Sequence, residues 1–372
     1  MKLNLLISII LLGLCSISCK KNTTSKQENH SEVVSEVDPL TKFKRALYQT
    51  QIDSVFKKYD FNGIVGVYSD STLVYKRSNG FEDFKTKKKI SDSTVFAIAS
   101  ISKQFTTAMI MKLAEEGKLK PTDSVFHYLS EFQNGNFKNV TIEQLMNHTS
   151  GVVDHGDGIA SKPGSEFSYS NKGFYFLGKI IEKASGQSFD DYATTFFKEN
   201  GLRHTYTANT FKGGHFAGAH LGSNNKNSAI ENMPKRLADK SISTAAGGIL
   251  TTIGDLHLWN QKLYSGKIIT KESLEKLTSK SADRNHPIFG KMGYGYGLMM
   301  STTPPKVIFH SGYVKGAPSL NVYYPETKTS LIILSNIADE SKGKNTIFQP
   351  HREIKKIASS IENAMVVSNS SN

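Results

Sequence analysis

Residues 95–113, VFAIASISKQFTTAMIMKL, decide the fold. The run starts as a short apolar strand, Val95–Ala99, and turns into a helix whose Phe105, Ala108, Met109 and Leu113 share one face before Gly117. At the junction stand Ser100 and Lys103. Three residues apart on a helix they project from one face, about 4.5 Å apart along the axis. The Ser-x-x-Lys spacing also begins at Ser18, Ser54, Ser223, Ser273 and Ser341, so spacing alone selects nothing. Only at Ser100 does a strand precede and an apolar-faced helix follow. A hydroxyl there is either a plain helix cap or a nucleophile near free N–H groups and the positive dipole end.

Lys103 sets the sharpest physical demand. A free lysine titrates near 10.4, so accepting a proton at neutral pH needs a depression of about three units. That requires burial. A phenol could relay the proton, and Tyr169-Ser170-Asn171 is the one Tyr-x-Asn of the chain, on a turn before the apolar face Phe174, Leu177, Ile181, Ala184. Taken alone it reads as a core tyrosine with Asn171 capping a helix. A third piece, His310-Ser311-Gly312, closes a candidate strand, Lys306–Phe309, and is the one [Lys/His]-[Ser/Thr]-Gly of the chain. Taken alone it is a strand-ending turn with a buried imidazole.

Outward from these, Phe43, Leu47, Ile52, Val55, Phe56 and Tyr59 follow helical spacing. Gly63–Tyr68 and Thr72–Arg77 read as a hairpin turning at Ser69-Asp70-Ser71. Helical patterns dominate residues 100–280, including Leu256, Trp259 and Leu263 before Gly266. Strands return at Ser319–Tyr324 and Thr329–Leu334, and a helix over 350–363 precedes a polar tail. Strands at both ends with helices between predict an α+β fold: one antiparallel sheet formed from both chain ends, flanked by helices, with a large, mostly helical inserted region.

The 372 residues include 21 Phe and 15 Tyr, enough for a substantial core in one large or two intimate domains. Lys2 followed by the apolar run to Ile17 reads as a cleaved leader, too short to span a bilayer. Both cysteines, Cys15 and Cys19, fall at its end, which excludes a thiol nucleophile, an internal disulfide and a cysteine metal site in the mature chain. The polar run from 20 to 40 suits a tether. The predicted organisation is a leader over 1–18, a tether over 19–40, a catalytic domain over 41–364 and a disordered tail over 365–372. The net charge of +13 favours anionic surfaces such as wall carboxylates or lipid headgroups, and no nucleic-acid motif accompanies it. The 11 histidines lack metal-ligand spacing, and no Gly-x-Ser-x-Gly, His-Glu-x-x-His, Walker or Rossmann pattern occurs, so neither metal nor cofactor is expected.

In combination and order, the three motifs resemble those of the serine penicillin-recognising hydrolases, in the class C β-lactamase, D-alanyl-D-alanine carboxypeptidase and esterase branch. Leu145–Gly151, Ala246–Thr252 and Tyr294–Leu298 resemble the family's scaffold and pocket wall, with His148 fixing a loop near Gly151. The resemblance implies Ser100 as nucleophile, Lys103 and Tyr169 as proton carriers, and the N–H groups of Ser100 and Tyr313 as oxyanion donors. Asn171 would then bind a substrate amide, and His310, Ser311 and Gly312 would face the substrate. β-Lactamases of the branch carry Lys at the place of His310, so the expectation is a carboxypeptidase- or esterase-like enzyme. The alternatives are a true class C-like β-lactamase and a non-catalytic peptidoglycan-binding or sensing lipoprotein. Ser18-Cys19 resembles a bacterial lipoprotein cleavage box, implying lipidation at Cys19 and a cell-envelope location. The expected partners are a small-molecule or peptide substrate, peptidoglycan fragments among them, and the membrane through that anchor. No nucleic acid or obligate protein partner is expected.

Overall fold

The computed structural model describes residues 38–133, 135–156, 158–238, 243–341 and 343–370. The leader, most of the tether and Cys19 lie outside the described residues. A helix α1, Pro39–Tyr59, precedes the hairpin β1, Gly63–Ser69, and β2, Thr72–Asn79. The inserted region carries α2, Ser102–Glu115, α3, Asn171–Ser185, and α4, Ile253–Tyr264. Six strands then follow: β3 (Ala282–His286), β4 (Gly290–Tyr294), β5 (Met299–Met300), β6 (Ile308–Val314), β7 (Ala317–Tyr324) and β8 (Thr329–Ser335). A last helix, α5, spans Gln349–Ser370.

The main sheet has eight strands in the order β3-β4-β5-β6-β7-β8-β1-β2, every pair antiparallel. The expected join between chain ends is the β1–β8 pair, with Gly63 opposite Ser335 and Ser69 opposite Thr329. Side chains alternate between two cores, as period-2 geometry requires. Val65, Val67, Leu331 and Ile333 pack with Tyr48, Ile52, Ile354 and Ile361 of α1 and α5. Ile64, Ile332 and Leu334 face the inserted helices, where Phe105, Leu256 and Trp259 lie. The sheet is therefore the middle of three layers.

Four differences from the sequence reading have physical causes. Helix α1 begins at Pro39, inside the expected tether, since a proline suits the first helical turn. Helix α5 continues through Ser370 where a tail was expected, because Met365 extends the buried row Ile354, Ala358, Ile361. His310-Ser311-Gly312 lies within β6 and does not end a strand; its pairing continues to Val314 opposite Ala317. Strands β3 and β4 occupy polar sequence without alternation, which the periodicity could not show. Among the described residues no helix is long and apolar enough to cross a membrane.

Candidate active site

Ser100 sits in a single 3-10 turn, Ala99–Ile101, immediately ahead of α2, and the helix cap is Ile101. Ser100 is thus not the helix cap. Its neighbour Ala99 has φ +46°, a left-handed value that a residue with a Cβ adopts only under constraint. The constraint is visible on both sides. Phe96–Ala97 pairs with Ile249–Thr251, and Ile98 N–H continues that contact to Ile249 O at 3.3 Å. Opposite, Gly312 of β6 lets the chain pass so close that a Cβ there would meet Ile98 O at 2.0 Å. Ser319 Oγ donates to the same Ile98 oxygen at 3.1 Å.

Helix α2 is buried around nearly its whole circumference, and its buried polar side chains reach neighbouring elements, with Gln104 Nε2 left without a partner among the described residues. Thr106 Oγ1 donates to Ala245 O at 2.7 Å, and Thr107 Oγ1 to Tyr296 O at 3.1 Å. Ser102 Oγ accepts from Ile249 N–H at 3.0 Å. Trp259 Nε1 donates to Gln104 Oε1 at 3.3 Å. Gly297, at φ +68°, lies against the Lys103 carbonyl. The supporting stretches Ala246–Thr252 and Tyr294–Leu298 are therefore the clamp on this helix.

Within that clamp Lys103 is wholly buried. Its Nζ lies 2.8 Å from Asn171 Oδ1, 2.8 Å from Ala246 O and 3.2 Å from Ser100 Oγ. Tyr169 O–H donates to Ser100 Oγ at 2.9 Å. Burial pushes the Lys103 ammonium below its ordinary range; Tyr169 and Asp154 oppose the shift and the charge of Arg284 adds to it. Two of the three Lys103 partners are pure acceptors. A neutral amine gives its two hydrogens to them and turns its lone pair to the Ser100 hydroxyl.

Asn171 is the first residue of α3, and the helix cap is Ser170, whose Oγ accepts from Gly173 N–H at 2.9 Å. Asp154 accepts from Ser170 Oγ at 3.0 Å, Lys172 N–H at 3.0 Å and Asn171 Nδ2 at 3.3 Å, which fixes the Asn171 amide with its oxygen toward Lys103. His148, at φ +61°, accepts at Nδ1 from Ser170 N–H at 3.1 Å and packs 4.3 Å from the Tyr169 ring. These contacts seat the Tyr169 turn. Burial drives the His148 pKa well below 6.5, so the ring is neutral.

His310 departs from its expected role. It is buried, with Nδ1 2.6 Å from Ser311 O and Nε2 3.1 Å from Tyr294 O–H. The carbonyl can only accept, so Nδ1 carries the hydrogen and Nε2 receives the Tyr294 hydroxyl. Burial, then the charges of Arg284 and Lys103, hold the ring neutral. Both nitrogens are occupied within the protein. Ser311 is also largely buried, while Tyr313 lines a cleft of roughly 250 Å³ together with Ser100, Asn171, Ala246 and Gly247. A larger hollow of roughly 570 Å³ lies elsewhere, against Tyr264 and Tyr323, and shares no lining residue with the cleft beside Ser100.

The sequence reading missed Arg284, Asp154 and the Ala246 carbonyl. Arg284, on the edge strand β3, lays its guanidinium 4.6 Å from the Tyr169 ring centroid and 5.6 Å from that of Tyr294. No local pattern marks it.

The Beta-lactamase family profile matches residues 45–350. The chain is 27% identical over 350 residues to Penicillin-binding protein 4* of Bacillus subtilis (strain 168), covering 84% of this chain and 76% of that protein. The octameric penicillin-binding protein homologue from Pyrococcus abyssi superposes with a TM-score of 0.69 at 25% identity, over 84% of this chain and 80% of that one. The D-alanine carboxypeptidase AmpC from Burkholderia cenocepacia has the same fold, with a TM-score of 0.69 at 21% identity over 86% and 99% of the two chains.

Proposed function

The chain belongs to the beta-lactamase family of serine hydrolases, and from that premise we propose that it cleaves an amide, ester or peptide bond through an acyl-enzyme on Ser100. One observation carries the reading: Ser100 Oγ stands between the Tyr169 hydroxyl at 2.9 Å and a fully buried Lys103 Nζ at 3.2 Å.

The hydroxyl proton of Ser100 passes to neutral Lys103 as Oγ attacks the carbonyl carbon. The Ser100 and Tyr313 N–H groups receive the oxyanion, a donor of this kind being worth about 3 kcal/mol in the transition state. Tyr169 gives its proton to the departing nitrogen or oxygen and is reprotonated from Lys103. Asn171 holds the Lys103 amine and turns its amide edge to the substrate. Water then attacks the acyl-enzyme, with the same groups working in reverse.

Within this class the reading is a carboxypeptidase- or esterase-like enzyme acting on small or peptide substrates, peptidoglycan fragments included. The neutral, internally bonded His310 supports it, since no fixed cation stands where a β-lactamase of the resembled branch has its lysine. The leader and Ser18-Cys19 extend the proposal to an exported, lipid-anchored protein of the cell envelope.

A fluorophosphonate probe tests the core of the reading. Labelling of the wild type that vanishes in Ser100→Ala and drops sharply in Lys103→Met is the expected result. A folded, unlabelled wild type would defeat it. Turnover of a chromogenic cephalosporin at the rate of a dedicated β-lactamase would move the assignment to the antibiotic-hydrolysing alternative. Incorporation of radiolabelled palmitate, lost in Cys19→Ser, tests the anchor.

A further inference from the structure

The cleft beside Ser100 has a composition that the chemistry of bond cleavage does not require. Ile230, Met233, Leu237 and Val314 make apolar walls, and Arg236 and Lys315 bring two cations to it from separate segments. Both cations are exposed, and neither has an ion-pair partner among the described residues. Two carboxylates of the site are engaged elsewhere: Glu340 receives the Tyr313 hydroxyl, and Asp154 is taken up at the start of α3.

The cleft also has a direction. Tyr169 protonates the departing atom, so the leaving group must lie on the Tyr169 side of Ser100. The cleft walls include Ser100, Asn171, Tyr313 and Val314 but not Tyr169, His310 or Ser311. The cleft therefore runs along β6 past the oxyanion donor, away from the proton donor. That is where the acyl half of the substrate extends.

We propose that Arg236 and Lys315 select substrates whose acyl half carries a carboxylate, the chain between carbonyl and carboxylate lying on Ile230, Met233 and Leu237. The inference rests on the serine hydrolase reading and adds to it the charge of the acyl group. Two like charges repel, and an anion between them relieves that repulsion as well as gaining its own attraction. The same charges disfavour a cationic acyl group.

The test compares two esters that differ only in charge: 4-nitrophenyl hydrogen glutarate and its neutral methyl ester. The expected ratio of kcat/KM, acid over methyl ester, is about tenfold or more at low salt, falling as salt screens the cations. Arg236→Gln and Lys315→Gln each lower that ratio by roughly threefold, and the double variant brings it near unity. A wild-type ratio at or below unity, or one unmoved by both substitutions, overturns the inference while leaving the hydrolase reading intact. So does labelling of Ser100 by fluorophosphonate without hydrolysis of either ester. Failure of both labelling and hydrolysis defeats the hydrolase reading, and this inference falls with it.

Discussion

The guanidinium of Arg284 lies 4.6 Å from the centroid of the Tyr169 ring, so the phenol that contacts Ser100 has a cation on its face. The same charge adds to the burial that lowers the Lys103 pKa. Catalysis needs Lys103 neutral, so kcat/KM rises with pH through the lysine's depressed value. Removing Arg284 takes away a repelling cation, raises that value and moves the acidic limb to higher pH. With a cation–aromatic contact worth about 0.5–2 kcal/mol, Arg284→Gln lowers neutral-pH kcat/KM by roughly two- to thirtyfold. A pH–rate profile whose limb stays in place or moves downward contradicts this role.

Gly312→Ala separates the two walls of the site. The new Cβ would stand 2.0 Å from Ile98 O and 2.4 Å from Ser319 Oγ, both buried. Overpacking of this kind costs about 1–3 kcal/mol. Thermal unfolding and ester turnover both decline. Gly158→Ala, with nothing within 4 Å of its Cβ, is the control and leaves both near wild type.

A buried charge pair ties the chain ends together. Lys44 Nζ meets Glu362 Oε2 at 2.9 Å and Thr329 Oγ1 at 2.9 Å, with Tyr48 O–H also donating to Glu362. Glu362→Gln strands the ammonium and costs about 3–5 kcal/mol in urea unfolding. Replacing both charges, Lys44→Met with Glu362→Leu, recovers most of that loss. A single variant as stable as wild type would show that the pair carries no weight.

Acid weakens the fold through buried imidazoles. Burial holds His148 and His310 well below 6.5, His286 at about 4 and His351 at about 3. Above 6.5 both the native and unfolded forms are neutral and the stability is complete. Below it the unfolded chain takes up protons that the native rings refuse, so stability is lost as pH falls toward the native values. Each ring contributes about 1.4 kcal/mol per pH unit within its window. His351, between the rings of Phe61 and Phe348, gives the cleanest test. His351→Phe flattens the acid slope by one proton, and an unchanged slope refutes the assignment.

What the sequence disclosed and what it withheld divide along physical lines. Residues 63–69 and 329–335 are short apolar runs bounded by turn residues, so the strands of the shared sheet could be read from them. Ser100, Lys103, Tyr169 and Asn171 were legible because one Ser-x-x-Lys of six stands at a strand-to-helix junction and Tyr-x-Asn occurs once, and the fold brings all four within hydrogen-bonding reach. Arg284 was not legible: Ala282–His286 has no apolar alternation, and its place beside Tyr169 arises only when β3 pairs with β4. The Ala246 oxygen belongs to the backbone, which leaves no trace in residue type. His310 was placed toward the substrate by resemblance. Both faces of β6 are buried, so alternation could not tell that its ring turns to Tyr294.

Because β1 finds one of its two neighbours only at residues 329–335, the hairpin made first must wait for almost the entire chain to be synthesised. Until then one backbone edge of β1 stays unpaired, and Val65 and Val67 lack the cover of α5. A chain terminated early would therefore not be a smaller hydrolase; it would be a sticky half-sheet, ready to pair with another copy of itself.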